Sequence, residues 1–206
     1  MSSSKLAHLA GSAVLLGGLL FVVYAVGNAL VERFAAVSVS EATGHAIYHL
    51  FNVPPNAVLA SGMVGLFAYL KQSGNFGIVG KIGFWVCAVV FTLTAIGGLG
   101  IIVSETTLGG AGVSVLDIIH PMVLLLMLGS ILFGIAVYRG GDLPKGAALM
   151  LIAVPVLMIA SLFALGGPPW AFIGGMALFG VAWAWLGYGL HSHREAEVIA
   201  PQPAVR

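Results

Sequence analysis

The chain has 206 residues, of which 60% are hydrophobic and only 7% charged, with a mean hydropathy of +1.08. A soluble domain carries about 25% charged residues, so this chain cannot cover a water-facing surface and lipid must be its main solvent. Its net charge of +1 gives no clustered basic face for nucleic acid, and a single cysteine, Cys87, leaves no intrachain disulfide and reads as an inert thiol in an apolar run.

Apolar stretches of about 20 residues are read as transmembrane helices. Six occur, over 8–30, 44–70, 80–103, 118–138, 146–165 and 169–190. The expected fold is therefore all-α: a polytopic bundle of six transmembrane helices over residues 1–194, followed by a short disordered tail over 195–206. The length suits one domain.

The first span carries Gly17, Gly18 and Gly27; small residues let helices approach closely in lipid, where packing drives association. Its start loosely fits a signal peptide, but the apolar run is longer than a signal core, so an uncleaved span is expected. A polar loop with Glu32 and Arg33 leads into EATGHAIYHLFNVPP, where Glu41, His45 and His49 recur every four residues. On a helix that spacing puts all three on one face. Pro54 and Pro55 then allow two readings: a short surface helix that stops there, or the first turns of the second span. In the second reading Asn52 and Asn56 flank the prolines and can satisfy backbone groups locally.

The third span ends in Gly97, Gly98 and Gly100, followed by the loop SETTLGGAGVS with Glu105. Asp117 is placed to cap the fourth span, with Pro121 in its first turn. That span also carries Ser130-x-x-x-Gly134, and Pro155 should interrupt hydrogen bonding in the fifth. Trp183, Trp185 and Tyr188 lie in the later half of the sixth span, and such residues favour a membrane interface. The glycines are expected to serve packing within the bundle.

Six crossings place Lys5, Lys71, Lys81, Arg139, Lys145, Arg194 and Arg206 on one side and only Arg33 on the other. The positive-inside rule then puts both termini in the cytoplasm, in the plasma membrane of a bacterium. Glu41, His45, His49, Glu105, Asp117 and His120 fall in the outer half. Counting about 20 residues outward from Lys71 and from Arg139 brings His49 and His120 to similar depth.

That coincidence supports a membrane subunit with an outer-leaflet cofactor. Imidazoles at i and i+4 can face one transition-metal ion, so His45, His49 and His120 are candidate ligands, with Asp117 and Glu41 completing the shell or orienting the rings. A haem b would instead take one histidine from each of two helices, such as His49 and His120. The alternative is a non-catalytic accessory subunit packing against other membrane subunits through glycine-lined faces. A third reading is an enzyme acting on lipid or quinone head groups with histidine as proton carrier. Beside all three stands a purely structural role, since polar side chains cost little at a water interface.

No acidic or basic residue lies near the middle of any span, which argues against ion-coupled transport and voltage sensing. Membrane lipids are the expected surroundings. The six methionines within spans, Met63 to Met176, are scattered as core residues are. His191-x-His193 reads as an interfacial tail. No phosphate loop, dinucleotide fingerprint, CxxC or serine elbow occurs.

Overall fold

A computed structural model describes the backbone of residues 3–35, 41–73, 77–107, 116–141, 143–165 and 169–199, and side chains over 8–30, 49–71, 77–104, 122–141, 143–164 and 170–192. Six helices follow in order: α1 (Ser3–Ala35), α2 (Glu41–Ser73), α3 (Ile78–Thr107), α4 (Leu116–Gly140), α5 (Lys145–Leu165) and α6 (Pro169–Ile199). Each contains a segment long and apolar enough to cross a membrane, over 8–30, 49–71, 78–104, 122–140, 145–164 and 170–192. The expected six-span all-α architecture holds, with boundaries within a few residues of those read from hydropathy. The α6 helix continues past Arg194 to Ile199, and the rest of the expected tail, 200–206, lies outside the described residues.

Among the described residues each helix packs on its sequence neighbours, and α6 closes on α1. The bundle is thus a closed ring of antiparallel helices, with the start of α1, the end of α6, the α2–α3 junction and the α4–α5 junction at one end. Buried positions follow alternating three- and four-residue steps. In α1 these include Ala10, Val14, Gly17, Phe21, Tyr24 and Asn28, and in α6 Met176, Phe179, Trp183, Leu186 and Leu190, with small residues such as Gly18, Ala25, Gly180, Ala182 and Ala184 buried beside them. This spacing presents a narrow inward seam, as in antiparallel helical bundles. Aromatic side chains fill the middle of the ring. Trp183 stacks on Phe133 at 5.7 Å and meets Phe91 and Phe179 edge-on, while Phe21 meets both Phe91 and Phe179.

Trp183 is therefore a wholly buried core residue and not an interfacial one, because the three-four spacing carries position 183 onto the seam. Trp185 and Tyr188 fall on the outer surface. The methionines behave as packing residues: Met63, Met127, Met158 and Met176 are buried, and Met122 and Met150 pack against the core. The outward faces are lined with exposed leucines, valines and isoleucines from all six helices. In water such a continuous apolar surface would be untenable; in lipid it is the solvent-matched face.

Most of the described glycines lie against a neighbouring helix. Gly18 and Gly180 bring the backbones of α1 and α6 together, and Gly11 and Gly187 repeat the contact two turns away. Gly83 sits against the α4 backbone at Phe133, and Gly134 against Ala148 of α5. Gly97, Gly100 and Gly174 have nothing within 4 Å of where a Cβ would stand.

Candidate functional site

The inward seam of α2 changes character along its length. Leu59, Met63, Leu66 and Leu70 form its half nearer the termini. Towards the far end the same seam carries Asn56, Asn52 and His49, at 1%, 4% and 1% exposure. Burying an amide without a hydrogen bond costs roughly 2–7 kcal/mol, depending on the reference medium. Asn56 meets this by donating through Nδ2 to both the carbonyl and the Oδ1 of Asn52, each at 2.7 Å. The two asparagines straddle Pro54 and Pro55, and α2 runs continuously through them. Of the two readings of this segment, the structure takes the single long helix that begins at Glu41.

α1 faces this stripe. Gly17 lies against Leu59, Gly62 against Val14 and Gly27 against Phe51. That register sets Tyr24 level with Asn52 and Asn28 level with His49. Both α1 residues are buried, so the far half of the ring holds polar groups from two adjacent helices. The Oδ1 of Asn28 is buried and has no hydrogen-bond partner among the described residues. On the other side of α2, a Cβ on Gly98 of α3 would stand 3.7 Å from His49 Nδ1 and 2.6 Å from Val53. The imidazole edge therefore rests near bare α3 backbone, with Val53 filling the adjoining space.

Of the residues singled out from sequence, His49 is placed in the interior. Glu41 and His45 belong to α2, and Asp117 and His120 to α4, but their side chains lie outside the described residues. α2 and α4 are separated by α3 in the ring. The α2–α3 contacts pair Phe67 with Phe84 and Val53 with Gly98; the α3–α4 contacts pair Gly83 with Phe133 and Cys87 with Ser130. Continued to the far end, these registers set His49 level with Ile102 of α3 and His120 level with Ile96. The offset is roughly 9 Å at the helical rise of about 1.5 Å per residue. Among the described residues, no three His, Cys, Asp or Glu side chains gather as a metal-ligand group.

Two features escaped the reading of the sequence. Asn28 is a lone amide in an apolar span, and only its place four residues after Tyr24 on a three-four seam marks it as inward. At the opposite end, His191 pairs with His8 of α1, ring centroids 4.2 Å apart, and its Nδ1 lies 3.5 Å from Ser12 Oγ. His191 is thus tied to the α1–α6 contact, whereas the side chain of His193 lies outside the described residues.

Cys87 is buried and reduced, its Sγ 3.6 Å from Ser130 Oγ. Ser130 donates to the carbonyl of Leu126 at 2.7 Å, so this pair is locally satisfied. Compared with protein-family models, curated proteins and solved structures, the chain finds no match.

Proposed function

We propose that the chain is a small membrane subunit that holds a transition-metal ion or haem b in the polar half of its bundle, with His49 as the anchoring ligand. One observation carries this reading: a wholly buried histidine lies level with a buried asparagine acceptor, Asn28, that has no donor among the described residues. Ionisable and polar groups inside a membrane are costly and mark functional sites. His45 shares the α2 face of His49 one turn on, and His120, Asp117 and Glu41 are the further candidates at that end. The close packing of Val53 beside Gly98 favours a small ion over a macrocycle on that side of the ring. When bound, such a group would supply redox or Lewis-acid chemistry screened from water.

The orientation belongs to the same proposal. The end where α1 begins and α6 finishes carries six of the Lys and Arg residues, Lys5, Lys71, Lys81, Arg139, Lys145 and Arg194, which supports a cytoplasmic location for it, in a bacterial plasma membrane. α1 contributes Val14, Phe21 and Tyr24 to the core and closes the ring, which supports retention of the first span.

The test is an absorption spectrum with elemental analysis of the purified protein. A Soret band or a stoichiometric transition metal, lost in His49→Ala, is the expected result. Neither signal in protein purified without chelator would end the proposal. The accessory-subunit reading keeps one supporting observation, the open space outside Gly97 and Gly100 on α3. It expects Gly97→Leu with Gly100→Leu to abolish co-purification of a partner while His49→Ala has no effect.

A further inference from the structure

We infer that the groove between α2 and α3 is a binding site for one anionic phospholipid, its acyl chain in the groove and its phosphate between Lys71 and Lys81. This is independent of the cofactor reading and lies at the opposite end of the molecule. The groove encloses about 440 Å³ between Met63, Val64 and Phe67 of α2 and Trp85, Val89 and Leu93 of α3. Its outer rim faces lipid: Val64, Trp85 and Val89 are at least half exposed. Thr92 is the one hydroxyl in the lining, and it donates to the Ala88 carbonyl of its own helix at 2.8 Å. Phe67, Phe84 and Trp85 pack mutually at 5.2–5.6 Å and give the groove a fixed aromatic end. Such a lining offers hydrocarbon a surface and offers a polar ligand nothing.

Length and charge select the occupant. From Phe84 to Leu93 the groove runs roughly 14 Å along α3 at about 1.5 Å per residue, close to one leaflet of a hydrocarbon core about 30 Å thick. Lys71 lies one turn beyond Phe67, and Lys81 one turn before Trp85. Both are exposed, at the end where the groove meets the membrane surface. Between Phe67 and Trp85 these are the only charged residues, with no acid among them. The α4–α5 connection differs, because Asp142 stands between Arg139 and Lys145. The lysine pair at the groove mouth therefore lacks an acidic neighbour in sequence, and a phosphodiester supplies the missing charge. Trp85 sits at the depth where indoles favour the interface.

Native mass spectrometry of the full chain, released from nanodiscs of mixed phosphatidylglycerol and phosphatidylcholine, tests this. One tightly retained phosphatidylglycerol is expected. Lys71→Gln with Lys81→Gln should weaken it roughly ten- to thirtyfold, from about 1 kcal/mol per lysine near a membrane surface. Arg139→Gln with Lys145→Gln should leave it unchanged. Ala88→Leu, which fills the groove and spares the lysines, should also release the lipid. Millimolar inorganic phosphate should not displace it, since phosphate lacks the chain. Equal retention of phosphatidylcholine, equal loss in the Arg139/Lys145 pair, displacement by phosphate, or full retention in Ala88→Leu would each overturn the assignment.

Discussion

A Cβ on Gly180 of α6 would stand 2.7 Å from the carbonyl oxygen of Gly18 on α1. Real side chains do not approach backbone that closely, so this contact exists only because both positions are glycine. It recurs at Gly11 and Gly187, which have the same seven-residue separation on each helix. The closure of the ring rests on these pairs.

Gly180→Val should therefore destabilise the bundle by about 1–3 kcal/mol or more, the range for overpacked sites. Gly97→Val, with open space around it, should change stability by only a few tenths of that. Reversible unfolding in mixed detergent–SDS micelles measures both. Similar losses in the two variants would show that the α1–α6 approach is not the source of the effect.

Trp183 sits at the middle of the aromatic cluster with its Nε1 buried and without a hydrogen-bond partner among the described residues. The indole N–H therefore gains no bond from the described residues, and the ring itself supplies the stabilisation. Trp183→Phe, which removes part of the ring volume, should cost roughly 1–2 kcal/mol. Trp183→Ala should cost about 3–5 kcal/mol from the cavity it leaves. The same unfolding assay separates the two, and a loss in Trp183→Phe as large as in Trp183→Ala would overturn the ring-packing account.

The Asn56–Asn52 hydrogen bonds stabilise the helix where two prolines remove backbone donors. A double-mutant cycle on Asn52→Ala and Asn56→Ala should return a coupling of about 0.6 kcal/mol and at most about 1.7, as found for polar pairs in membranes. A coupling near zero would mean that each asparagine serves another partner, such as a group bound near His49.

Cys87 is fully buried between α3 and α4. A maleimide should fail to label the folded protein in detergent and should label it completely after unfolding in SDS. Ser130→Ala should leave that protection intact, because helix packing and not the hydroxyl covers the sulfur. Rapid labelling of the native protein would place the α3–α4 contact in doubt.

The number of spans and their limits were legible in the amino-acid order alone, because membrane thickness sets a required apolar length and hydropathy is a local property. The single long helix carrying Glu41, His45 and His49 was one of two readings the sequence allowed, since Pro54 and Pro55 could have ended it. Which face of each span turns inward was not legible. Lipid and bundle core are equally apolar, so leucine and valine recur on both sides and leave no amphipathic signal to read. Assembly alone placed Trp183 at the centre, set Asn28 level with His49, joined His8 to His191 and put α3 between α2 and α4. Those outcomes depend on where glycines allow two backbones to touch, and that depends on pairs of residues as distant in the chain as Gly18 and Gly180.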